Sequence, residues 1–175
     1  FKIDQIQKQQ EDKLIAGGYL EPRSLYTSET YDKYGNEGLE KRCIHLGLDF
    51  WVPPSTPIHS FYDGEVVMAF NDKGEKAYGG MIVLRHTVNG LVFYSLYGHL
   101  SIHSIRQVQI GKKIAKGKCV GWIGTAMENG NWAPHLHFQI ILDLIGFQND
   151  FPGVAYHKQI RTWQSLCPDP NLLFK

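Results

Sequence analysis

The sequence predicts a mainly β protein: an antiparallel, barrel-like or sandwich core with a short helix near each end. The core follows from residues 43 to 142, where short runs rich in branched and aromatic side chains alternate with glycine and polar turns. These runs are Glu65 to Phe70, Met81 to Thr87, Leu91 to Tyr97, Lys118 to Ile123 and Leu136 to Leu142. Their close spacing favours antiparallel pairing, because parallel strands need long crossovers. The first helix follows from residues 1 to about 16, where Ile3, Ile6, Leu14 and Ile15 sit among Gln, Lys and Glu as a partial apolar stripe. The second is expected from about Tyr156 to Leu166, ended by Cys167-Pro168-Asp169-Pro170 because proline cannot continue helical hydrogen bonding. The chain thus divides into a helix-and-loop extension (1–42), a β domain (43–142) and a C-terminal extension with a short helix (143–175).

Composition narrows the function classes. A chain of 175 residues with 43% hydrophobic content has one domain's length and buries roughly 70% of its unfolded surface. Eighteen basic against 17 acidic residues give no electrostatic reason to expect nucleic acid or an anionic membrane as partner. No stretch approaches the ~20 apolar residues of a membrane span, since Gln139 and Asp143 interrupt the most hydrophobic region, so no membrane insertion is expected. No secretory signal is visible. Cys43, Cys119 and Cys167 are odd in number and form no Cys-x-x-Cys pair, so structural disulfides are not expected.

Two strings carry the chemistry: His45-Leu46-Gly47-Leu48-Asp49 and Pro134-His135-Leu136-His137-Phe138. A His and a carboxylate from one segment plus a His from another give three protein ligands and leave a fourth tetrahedral position open, the pattern of a catalytic zinc. In an extended strand His135 and His137 share a face, roughly 7 Å apart at Cα. One of the two suffices as ligand, and the other then stands beside the open position, where an imidazole exchanges protons near neutral pH. An ideal strand would separate His45 and Asp49 by roughly 13 Å, so the backbone should bend, and Gly47 supplies the freedom. Cys43 shares a face with His45 and is a further thiolate candidate. In Tyr94-Ser95-Leu96-Tyr97-Gly98-His99-Leu100, His99 falls at the far end of a strand, as a second catalytic imidazole or a surface histidine. His59, His86, His103 and His157 lack comparable context and read as structural or solvated.

From about His45 to Ile140 the chain resembles the lysostaphin-type zinc endopeptidases, the M23 peptidase domain, many of which cut peptide cross-links in bacterial cell walls. The resemblance rests on ordered motifs: the His-x-Gly-x-Asp string, Pro57 to Val67, Tyr78-Gly79-Gly80-Met81-Ile82-Val83-Leu84-Arg85-His86, Tyr97-Gly98-His99-Leu100-Ser101, Gly111 to Gly117, Gly121-Trp122-Ile123-Gly124 and His-Leu-His-Phe. It implies a duplicated hybrid motif core, zinc held by His45, Asp49 and His137, and His99 and His135 as the catalytic pair. It also implies a peptide or peptidoglycan-like substrate. Three departures stand out. Asn36-Glu37-Gly38-Leu39-Glu40 has no tyrosine where some members place one to stabilise the oxyanion. Gln139 replaces the frequent Glu, and Met127 to Ala133 is bulkier than usual. Trp132 should narrow access, favouring a short or unusual amide-containing peptide over intact cell wall.

The flanks, Tyr19-Leu20-Glu21-Pro22-Arg23 with Tyr26-Thr27-Ser28, and Phe151-Pro152-Gly153-Val154-Ala155 with Cys167-Pro168-Asp169-Pro170-Asn171, resemble a module of large bacterial proteins. Those proteins also carry a kinase-like phosphotransferase and a class III, pyridoxal-phosphate aminotransferase domain. A start at Phe1 without Met is compatible with an excised domain flanked by such enzymes or with a trimmed product. Localisation stays open, at the cell envelope for wall hydrolases and in the cytoplasm for the fusion. Two other readings remain: a non-catalytic binding or scaffold module, and a phosphoryl relay through paired histidines. The relay would not require Asp49.

Overall fold

A computed structural model of the chain describes residues 2–9, 13–24, 32–35 and 38–174. It begins with α1 (Lys2–Gln9), β1 (Ile15–Gly17), β2 (Asp32–Gly35), β3 (Gly38–His45), β4 (Leu48–Trp51) and β5 (Pro57–His59). Then come β6 (Gly64–Asp72), β7 (Gly79–Val88), β8 (Leu91–Leu100), α2 (Ile102–Gln107), β9 (Lys113–Ile114) and β10 (Cys119–Trp122). The last are β11 (Leu136–Ile141), β12 (Val154–Tyr156) and α3 (Ile160–Leu166). Seven strands form one antiparallel sheet in the order β1-β4-β11-β8-β7-β6-β9. It is an open sheet, not a closed barrel. A β10-β5 pair and a β12-β3-β2 sheet accompany it.

Local chemistry accounts for the central hairpin. Asn89 and Gly90 both adopt positive φ, 50° and 83°, between the paired residues Val88 and Leu91. A two-residue turn of this kind matches the right-handed twist of the flanking strands, and Asn-Gly tolerates it. Alternation then sorts side chains into two layers. Ile82, Leu84, Tyr97, Leu100, Phe138 and Ile140 pack in one cluster, while Met81, Val83, Leu96, Ile141 and Phe151 pack in another on the opposite face. The first residues of β7 are therefore buried whichever way they point.

The expected strands all appear, within two or three residues of their expected ends. The N-terminal reading changes more. The described helix covers Lys2–Gln9, and Ile15 instead opens an edge strand that pairs with Trp51. The stretch read as loop contains β2 and most of β3, whose polar Glu40-Lys41-Arg42 pairs through backbone ladders with β2 and β12. Such a ladder leaves no apolar alternation to read. α2 was not anticipated; Ser101 caps it by accepting from the Ser104 amide. At the C-terminal end a 3-10 turn (His157–Gln159) precedes α3. Residues 10–12 of the expected first helix, Tyr26-Thr27-Ser28 and Asn36-Glu37 lie outside the described residues. Among the described residues no helix is long and apolar enough to cross a membrane.

Candidate metal centre

His45 closes β3 and Asp49 lies in β4, with the bend between them at Leu46-Gly47. The expected bend is present, but Gly47 has a different reason to be glycine. Its φ is not left-handed; a Cβ there would lie 2.5 Å from the Phe138 carbonyl oxygen and 2.9 Å from the His137 ring. The need is room for a neighbouring imidazole. β4 pairs with β11 so that Asp49 stands directly opposite His137. Three atoms converge as a result: His45 Nε2 lies 2.9 Å from His137 Nδ1, and Asp49 Oδ1 lies 3.1 Å from each.

The outer hydrogen bonds decide what these atoms are. His45 Nδ1–H donates to the Gly18 carbonyl (2.9 Å), which leaves Nε2 as a bare lone pair. Gln139 spends its amide N–H on the Pro152 carbonyl and the Cys167 sulfur, so its Oε1 accepts from His137 Nε2–H (3.1 Å) and His137 Nδ1 is also bare. Two lone pairs and a carboxylate oxygen thus face one another. Acceptors do not stabilise one another at such distances, and a tetrahedral zinc with bonds of about 2.0–2.1 Å would hold its ligands about 3.3 Å apart. His45, Asp49 and His137 fit a cation, and each bound imidazole has the outer acceptor that metal-ligating histidines use.

His135 precedes β11, and its Nδ1–H donates to the Ala133 carbonyl (2.6 Å), so Nε2 is the free lone pair, 3.7 Å from Asp49 Oδ2. The His99 ring is centred 4.2 Å from that of His135. His99 has φ +61°, a costly conformation for a residue with a side chain, and Gly124 N donates to its carbonyl. All five sequence-derived residues are buried and in one place. Cys43 is not among the convergent ligands; it packs against Ile44, Leu46 and Ala155. The three cysteines are unpaired. His86 is structural as expected, buried with Nδ1 on the Asp63 carbonyl and Nε2 on the Ser95 hydroxyl.

Burial pushes the imidazoles of His45 and His135 down and that of His99 far down, so all three are neutral near pH 7. Burial alone would raise the Asp49 carboxyl, but the positive charge that His45 and His135 carry once protonated in acid holds it well below the ordinary carboxylate range. This is the protonation state that metal ligation requires.

A cleft of about 810 Å³ opens over the cluster, walled by Trp51, Tyr78 and Trp132. Trp51 lies against His135 (5.7 Å between centroids), and Lys76 sits 4.0 Å over the Trp132 ring. Four basic lining residues, Lys2, Arg23, Arg42 and Lys76, balance Glu21, Asp49, Asp72 and Asp150. Sequence reasoning missed Arg23, which ion-pairs with Asp49, and Tyr78, whose ring lies against both His99 (5.5 Å) and His137 (5.4 Å). No local spacing links either to the ligands.

Fold and site together define a mainly β domain whose described residues include two histidines and an aspartate able to hold a metal ion. A sequence model described as peptidase family M23 matches residues 43–146, and the chain belongs to that family. Lysostaphin of Staphylococcus staphylolyticus is 33% identical over 135 residues, covering 75% of this chain and 26% of that protein. The peptidoglycan DD-endopeptidase ShyA of Vibrio cholerae is 33% identical over 117 residues, 66% of this chain and 24% of that protein. The chain therefore spans about a quarter of the length of these relatives. The crystallised catalytic domain of lysostaphin from Staphylococcus simulans shares the fold, with TM-score 0.53 and 23% identity, covering 89% of this chain and 96% of that domain.

Proposed function

We propose that this chain is a zinc-dependent endopeptidase that hydrolyses amide bonds in short peptides of the peptidoglycan type. The convergence of two bare imidazole nitrogens and a carboxylate on one point, beneath an open cleft, carries the reading. His45, Asp49 and His137 are the ligands. A zinc ion held there supplies Lewis-acid polarisation of the scissile carbonyl and activation of a water molecule. His135 presents its bare Nε2 to the cleft, where it would accept the proton of the attacking water and return it to the leaving amine, with the neutral His99 ring beside it supporting the transfer. Burial lowers both imidazoles and so keeps them available as bases.

The charge-balanced, aromatic-walled cleft suits a neutral or zwitterionic peptide. The name of one relative, the peptidoglycan DD-endopeptidase ShyA, supports peptidoglycan peptides as the substrate class. Trp132 at the rim favours soluble peptides over intact wall. The test compares purified wall, soluble wall peptides and unrelated amides with zinc-loaded and zinc-free protein. Zinc-dependent turnover of soluble peptides is expected, and rapid digestion of intact wall would remove the size restriction. Stoichiometric zinc without turnover on any of them would favour a binding or scaffold module.

A further inference from the structure

We propose that Arg23, outside the segment that matches the family, is a positioning residue of the metal centre; the inference rests on the zinc reading above. The two oxygens of Asp49 have different neighbours. Oδ1 belongs to the convergent group with His45 Nε2 and His137 Nδ1, whereas Oδ2 is ion-paired with Arg23 Nη1. The guanidinium is 12% exposed and the carboxylate 2%, so the pair lies where a charge-assisted hydrogen bond resists competition from water. Held at Oδ2, the carboxylate cannot rotate, and Oδ1 alone faces the ligand point.

The chain is shaped to deliver this contact. Gly17 in β1 is the register partner of Asp49 in β4, and a Cβ on Gly17 would lie 2.6 Å from Arg23 Nη2 and 2.8 Å from Trp51. The glycine directly across from the ligand therefore clears the guanidinium's path. Arg23 N donates to the Cys43 carbonyl (2.8 Å), and its Nε donates to Glu21 (3.0 Å), so the side chain starts from a fixed point on the strand that ends in His45. The same segment supplies the Gly18 carbonyl that fixes the His45 tautomer, while Leu20 N donates to the His45 carbonyl. Residues 17–23 thus orient two of the three ligands. The planar fork reaches Glu21 and Asp49 at once, and an ammonium keeps the charge but reproduces only part of that geometry.

The test measures zinc affinity by chelator competition, kcat and KM at saturating zinc, and melting temperature, on the full chain. R23A should bind zinc about 10- to 100-fold more weakly and lose at least about 10-fold in kcat with KM little changed. R23K should recover part of both, added guanidinium should restore R23A, and G17A should reproduce the defect with Arg23 still present. The surface variant R85A, whose partner Glu65 lies 3.5 Å away on the far part of the sheet, should match the wild type. If wild-type protein binds zinc and turns over while R23A does both within about threefold of it, the proposal is overturned. Equal losses in R23A and R23K with no guanidinium rescue would assign a merely structural role and overturn it too. If R23A fails to fold, R23K and G17A decide. Wild-type protein that neither binds zinc nor turns over would fail the functional reading instead.

Discussion

His135 and His137 stand two residues apart, yet opposite ring nitrogens of the two are engaged by backbone or side-chain acceptors. His137 gives Nε2–H to Gln139 and keeps Nδ1 for the ligand point; His135 gives Nδ1–H to Ala133 and keeps Nε2 for the cleft. The separate roles proposed for them predict separable phenotypes. His135→Ala and His99→Ala should each lower kcat at least about 100-fold while retaining zinc, since general acid–base groups contribute that much. Asp49→Ala should lose zinc itself. Metal analysis beside single-turnover kinetics reads both, and zinc loss in either histidine variant would merge the roles. The spacing of His45, Asp49, His135 and His137 made them legible because ligand chemistry limits the residue types and strand geometry limits the separations. Arg23 and Tyr78 escaped because their tie to the site is purely tertiary.

Among elements, the segment from Phe151 through β12 (Val154–Tyr156) closes the back of the centre, although the family match stops at 146. Leu46 N donates to the Gly153 carbonyl (2.9 Å), Val154 pairs with His45, and Gln139 donates to the Pro152 carbonyl. A Cβ on Gly153 would overlap the Tyr78 hydroxyl and sit 3.2 Å from His137 Nε2. Gly153→Ala is therefore expected to destabilise the protein by about 1–3 kcal/mol, the usual cost of overpacking, and to weaken zinc binding by displacing His137. Denaturant titration with chelator competition checks it, and wild-type values in both would show that the strap yields freely. The strands of the large sheet were readable because buried branched runs and an Asn-Gly turn repeat the β period. The strap was not, since its contribution is made by backbone carbonyls and a missing side chain.

At the scale of the molecule, the supports of the centre come from both ends of the described chain. Gly18 and Arg23 hold His45 and Asp49 from one side, and Pro152 and Gly153 hold Gln139 and Leu46 from the other. A fragment trimmed to 43–146 should thus lose stoichiometric zinc and cooperative unfolding, whereas the full chain keeps both; circular dichroism with metal analysis distinguishes them. A trimmed fragment that melts cooperatively with one zinc would place all the necessary support inside the matched segment.

The whole fold should also be acid-labile in a definite window. Burial pushes His45, His86, His99 and His135 below their ordinary value of 6.5. The unfolded chain takes up protons near that value, while the folded chain waits until lower pH. Between the two, the unfolded state binds more protons, so unfolding free energy rises with pH and falls as pH drops below about 6.5. Asp49 acts in the same direction further down: its depressed carboxyl contributes stability above about 3.8 that is lost as pH falls through the folded value. His86 lies outside the metal centre, buried against Phe61 and Phe93, so part of this lability should persist whatever occupies the site. Metal-free protein is expected to melt at lower temperature at pH 5.5 than at pH 7.5, and zinc to raise both values but the second more, because protons compete with zinc for the His45 imidazole. A melting temperature that holds or rises on acidification would mean that these imidazoles are not buried neutral in the folded state.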